Sequence, residues 1–306
     1  MIKIKEDSYL FIVYKEFLNF FIVFRNELPH YIKSRRSIII IAVFGVLNLF
    51  ILLMFAAVKG EFFSDISGVE IAGIGDYFTP PEGQEAEWAV RLSMSVYFGF
   101  ITMIIACYFG ALFARDIQPG TLRLLCVTPI SRNIHLLGRT ASATITTYLF
   151  FFIGHGSFST GIILLFSDSF LDFSAISMFT FLFLKLQIVQ LITIYFGVCF
   201  GTLFGLITKK VGSTTILFIM ISTILNFLPG LALFLPSNFQ SLMHNTSLTF
   251  HLQAFINWFV SSELYTGVGA FSFPEGQWII SLAILVGLSS LLLLLALHYF
   301  QNMDLD

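Results

Sequence analysis

The sequence predicts an all-α membrane protein: six transmembrane helices preceded by an amphipathic interfacial helix, with both termini cytoplasmic. Three observations carry this expectation. Of the 306 residues, 57% are hydrophobic and only 11% charged, against about 45–50% and 25% in soluble domains. Several runs of about twenty residues hold almost no charge, and about 20 apolar residues in a helix cross a bilayer core of about 30 Å. Lys and Arg, finally, are segregated along the chain rather than spread evenly.

Residues 1–36 form the first region. Lys3, Lys5, Glu6, Asp7, Lys15 and Glu16 interrupt the first apolar stretch, which argues against a cleavable signal and against a span. Tyr9, Leu10, Val13, Phe17, Phe20, Phe21 and Phe24 nevertheless recur at helical spacing. The segment reads as an amphipathic helix in the cytoplasmic interface, with Lys15 and Arg25 near lipid phosphates. A cytosolic helix packed on a partner is the alternative.

Residues 37–306 form the transmembrane domain, with spans near 37–58, 88–114, 140–166, 177–207, 214–235 and 276–299. An even number of spans puts both termini on one side. Thirteen of the sixteen Lys and Arg fall in residues 1–36, 115–139 and 208–213, so the positive-inside rule assigns that side to the cytoplasm. The expected location is the cell membrane. Outside, residues 59–87 carry seven acids from Glu61 to Glu87, which reads as a solvated loop. The segment 236–275 lacks Lys and Arg and reads as short interfacial or re-entrant helices against the outer ends of the last two spans.

Composition and motifs exclude several functions. Nucleic acid is not an expected partner of so apolar a chain. Cys107, Cys126 and Cys199 are too dispersed to suggest a disulfide framework or a thiolate metal site. The sequence has no G-x-x-x-x-G-K-[ST] phosphate loop, no H-E-x-x-H and no G-x-S-x-G. No catalytic residue, metal or cofactor is therefore assigned to this chain. His155, beside Ser157 and Ser159, reads as an interior hydrogen-bonding group, since neighbouring helical residues diverge by about 100° and do not form a catalytic pair.

Ionisable residues inside spans are expensive, which makes them functional candidates. Arg91 lies where its side chain can snorkel to the outer interface. Lys185 can also snorkel, or can line a polar interior with Gln187, Gln190 and His155. Small residues form two stripes with a four-residue repeat: Ala106, Gly110 and Ala114 in span two, and Gly197, Gly201 and Gly205 in span four. Such stripes permit close approach of membrane helices, and these two could pack on each other.

The stretch from Ala114 to Arg139 holds Arg115-Asp116, Gly120-Thr121, Arg123-Leu124-Leu125, Thr128-Pro129-Ile130-Ser131-Arg132 and Leu137-Gly138-Arg139. It resembles the cytoplasmic loop after the second span of ABC-2-type permeases, the membrane subunits of ABC exporters. Gln118 stands where that family often has an acid, and Arg139 replaces the usual Lys. Gly120 relieves steric limits at a turn, and Thr128-Pro129 reads as a break between short helical pieces. The resemblance implies that Arg115, Asp116, Gly120, Thr121, Arg123, Leu124, Leu125, Thr128, Pro129, Ser131 and Arg132 form a coupling loop that docks on an ATPase. It further implies a dimer with a second permease protomer and two ATPase subunits that carry the ATP and Mg. A secondary transporter or channel is the rival class, but neither Asp nor Glu falls clearly within a span. The 38 Phe, 10 Tyr and 3 Trp suit a lipid, hydrophobic peptide or drug as cargo, and equally suit acyl chains.

Overall fold

The computed structural model describes residues 9–59, 99–116, 130–166, 173–232, 251, 254 and 276–303, and among these it is helical, with no strand. The helices are α1 (Tyr9–Lys33), α2 (Arg35–Lys59), α3 (Gly99–Ala111), α4 (Phe113–Asp116), α5 (Arg132–Phe166), α6 (Phe173–Thr208), α7 (Val211–Ala232) and α8 (Gln277–Gln301). Among the described residues, three helices are long and apolar enough to cross a membrane: α5 over Arg132–Gly161, α6 over Phe179–Thr208, and α8. Ser37–Phe50, Ile101–Arg115 and Val211–Leu225 are shorter apolar helices.

Ser34 separates α1 from α2. Its Oγ accepts the Ser37 backbone N–H at 3.1 Å, which satisfies one of the open donors of the first turn of α2. Helix α1 turns Val23 and Tyr31 inward, while Val13, Phe17 and Phe21 stay about half exposed. Val23 seats over Gly138 of α5, where a Cβ would lie 2.7 Å from Val23 Cγ1.

Helix α6 is the common member of the interior. Its Leu186, Val189, Phe196 and Phe200 pack with Met103 and Cys107 of α3, Phe218 of α7 and Leu285 of α8. Ile194 and Val198 pack with Ala106 and Phe109 of α3 and Ala143 and Phe151 of α5. Leu203 and Leu206 meet Phe113, Leu136, Ala296 and Phe300 at one end of the bundle. The outside is also apolar: Ile39, Val43, Val46 and Phe50 of α2 and Ile279, Ile280, Leu291 and Leu294 of α8 are each more than half exposed. Water disfavours such a surface; hydrocarbon does not.

Several hydroxyls in these helices bond within their own helix. The hydroxyls of Thr140, Ser142, Thr144 and Thr147 in α5 donate to the carbonyls of Leu136, Gly138, Thr140 and Ala143, at 2.7–2.9 Å. Thr193 and Thr202 of α6 do the same toward Val189 and Val198. An i−4 bond of this kind lets Ser and Thr enter an apolar environment without an orphaned hydroxyl.

One boundary differs from the sequence expectation. Residues 132–139 were expected in the loop before a span at 140, but they form the first two turns of α5. Burial explains the extension: Ile134, His135, Leu136 and Arg139 all turn into the bundle, so tertiary packing outweighs their mixed polarity. The start of the second expected span, Arg91, the acidic segment 59–87 and most of 236–275 lie outside the described residues. His251 of that last segment is buried, with Nδ1 2.9 Å from Ser281 Oγ near the start of α8.

Candidate functional site

The two small-residue stripes meet. A Cβ on Gly197 would lie 2.7 Å from the Met103 carbonyl oxygen and 2.8 Å from Ala106 Cβ. One on Gly201 would strike the Cys107 carbonyl oxygen and lie 2.9 Å from Ala111 N, and one on Gly205 would lie 3.5 Å from Ala114 Cβ. From the other side, a Cβ on Gly110 would strike the Val198 carbonyl and lie 2.9 Å from its Cα. Positions rise together on both helices, so α3 and α6 run parallel. At Gly110 and Gly201 the two backbones touch directly, which the missing Cβ of glycine permits.

This pair leads into the end of the bundle that carries Arg115, Arg132, Arg139, Lys209 and Lys210. Phe113 of α4 is buried edge-on against Phe300 of α8, with ring centroids 5.2 Å apart. Above the same Phe113 ring, 5.3 Å from its centroid, lies the Arg139 guanidinium. Arg139 Nε and Nη2 both donate to Glu27 Oε1 of α1, at 2.9 and 2.8 Å. The two side chains are 10% and 17% exposed. Ser142 adds a second tie, its Oγ donating to the Phe24 carbonyl at 3.2 Å. The last residue of the Arg115–Arg139 stretch thus fastens α1, α4 and α5 at one point.

Arg132 has a contact within the chain. Its Nη1 donates to the carbonyls of Gln301 and Met303 at 3.4 and 3.3 Å, where a cation complements the carbonyl end of α8. Arg115 is exposed at the end of α4, Asp116 closes that helix, and Ser131 is exposed just before α5. Gly120, Thr121, Arg123, Leu124, Leu125, Thr128 and Pro129 lie outside the described residues. Phe113, just before the coupling stretch, and Leu136, near its end, share one packed cluster.

Of the candidate pathway residues, Lys185 is half-buried, and Gln187, Gln190 and His155 are buried. The Lys185 Nζ lies 4.3 Å from the centre of the Phe181 ring. Gln187 and Gln190 are buried on another side of α6, and neither carboxamide has a hydrogen-bond partner. His155 is buried against Phe158, ring centroids 6.3 Å apart. Sequence reasoning missed Glu27, Phe113 and Asn48. Glu27 is one of two carboxylates in the aromatic-rich α1, with Glu16, and that is the signal that pointed to the first. Asn48, nine-tenths buried in the middle of the apolar α2, is the second such signal.

No protein-family model matches the sequence, and no curated protein matches it. Among the described residues, three helices are long and apolar enough to span a membrane, which points to a membrane protein.

Proposed function

We propose that the chain is the permease subunit of an ATP-driven ABC transporter, most simply an exporter, in the cytoplasmic membrane. In this reading six spans follow an interfacial helix and both termini are cytoplasmic. ATP and Mg bind separate ATPase subunits, two per assembly, and a second permease protomer completes the pathway. The observation that carries the reading is the junction at Arg139. The stretch that resembles an ATPase-docking loop ends on a residue ion-paired to α1 and stacked on Phe113. Force applied to that stretch reaches α1, α4 and α5 together, and through the glycine contact it reaches α6.

Further support comes from the arrangement of charge. Arg132 and Arg139 lie at the bundle end formed by Phe113, Leu136, Leu206 and Phe300, and Lys209 and Lys210 follow the end of α6 there. Basic residues gathered at one end of an apolar bundle suit the cytoplasmic interface. The exposed apolar face of α1 suits the interfacial role in the same way.

The test is uncoupling. Gly120→Val and Arg132→Glu should each leave the chain in the membrane yet abolish nucleotide-dependent transport in vesicles reconstituted with its ATPase. Full assembly and full transport in both variants would remove the coupling role. Gradient-driven transport without nucleotide would favour a secondary transporter.

A further inference from the structure

A cavity of about 410 Å³ lies between α2, α3 and α5, within the range of about 300–1,000 Å³ usual for small-molecule sites. Its walls are apolar, built from Leu49, Leu52, Ile105, Phe150, Phe151 and Phe158. Gly45 keeps one wall open, since a Cβ there would meet no atom within 4 Å.

Two polar groups interrupt this lining. Asn48 is 7% exposed; its Nδ2 donates to the Gly154 carbonyl at 3.3 Å, and its Oδ1 has no donor. Ser157 gives its one hydroxyl hydrogen to the Ile153 carbonyl at 2.7 Å, so its oxygen is left as an acceptor. A leucine at position 48 would avoid the penalty of a buried carbonyl oxygen left without a donor. The polar capacity left over is acceptor capacity. Among the described residues, no Lys, Arg, Asp or Glu lines the cavity, so these walls offer an ionised ligand no counter-charge.

We propose that this cavity binds an uncharged hydrophobic molecule carrying one hydrogen-bond donor, a hydroxyl or amide N–H, directed at Asn48 and Ser157. The inference stands on the cavity and needs neither an ATPase nor nucleotide, so its failure and that of the coupling proposal are read separately.

The test uses the purified full chain in lipid nanodiscs, labelled with a diazirine-bearing long-chain alcohol, with crosslinks mapped by mass spectrometry. A matched diazirine hydrocarbon without the hydroxyl is run in parallel. Labelling should saturate, fall on the peptides bearing Gly45–Leu52 and Phe150–Phe158, and favour the alcohol about tenfold, the worth of one hydrogen bond. Gly45→Phe and Leu49→Trp should each block it by filling the cavity. Gly287→Phe should not, because that α8 glycine also has no atom within 4 Å of its Cβ position and lies outside the cavity. Asn48→Leu should erase the preference for the alcohol. Equal labelling by both probes overturns the proposal, as does labelling spread over all exposed helices or left unchanged by the two filling variants. Should those variants fail to fold, competition between alcohol and hydrocarbon on the wild-type chain decides alone.

Discussion

Arg139→Glu should detach α1 from the bundle and abolish coupled activity. The substitution places two carboxylates where one ion pair now sits, 2.8 Å across and largely shielded from water. Breaking a buried pair by removing one partner costs about 3–5 kcal/mol, because the remaining charge stays uncompensated. Partial exposure of both groups puts the cost here near the lower end, about 3 kcal/mol, or roughly a hundredfold in the docking equilibrium of α1. Glu27→Arg should match it, and the exchange Glu27→Arg with Arg139→Glu should recover part of both losses. Protease access to α1 in the purified chain measures docking, and a thermal shift measures stability. Additive losses in the double variant would mean that the pair makes no net contribution.

Gly201→Leu should be the most damaging substitution in the membrane helices. Even the Cβ alone would strike the Cys107 carbonyl oxygen and lie 2.9 Å from the Ala111 nitrogen. Both are backbone atoms of a continuous helix, so no rotamer change relieves the clash; α3 and α6 must separate. Overpacking of this kind costs about 1–3 kcal/mol, so Gly201→Ala should lose about 2 kcal/mol, and the leucine variant should not reach the membrane folded. Gly161→Leu is the matched control. There the nearest atoms to a Cβ would be the Leu52 methyls, at 3.0 Å, the far end of a side chain that can move. The yield of folded chain in the membrane and its size-exclusion profile rank the three variants, and a thermal shift measures Gly201→Ala against Gly161→Leu. Equal behaviour of positions 161 and 201 would show that close approach of α3 and α6 is dispensable.

How far the fold was legible follows from which forces act locally. The apolar runs at 177–207 and 276–299 announce themselves by hydropathy, and α6 and α8 exceed them by only a few residues. The start of α5 does not, because Arg132, Asn133, His135 and Arg139 look like loop until α1 and α4 are placed against them. The stripes were visible as a four-residue repeat, since close approach demands small residues at fixed spacing. The register between them, Gly201 on Cys107 and Ala111, depends on two helices far apart in sequence. Glu27 and Arg139 are 112 residues apart, and no local pattern links them. The cavity at Asn48 was likewise hidden, because an asparagine in an apolar run does not reveal which helix it faces. Lys185 is half-buried while Gln187, two positions on, is buried, so proximity along the chain did not foretell burial there.

The central claim is that this chain is driven by an ATPase docked on residues 115–139. Affinity purification of the full chain from native membranes, followed by identification and quantification of bound subunits, tests it most directly. The account predicts an ATP-hydrolysing partner with a phosphate loop, one copy per copy of this chain, and its loss from the Leu124→Asp variant while the chain itself remains in the membrane. Recovery of a functional transporter with no nucleotide-binding partner, or retention of the ATPase by the Leu124→Asp chain, would contradict it.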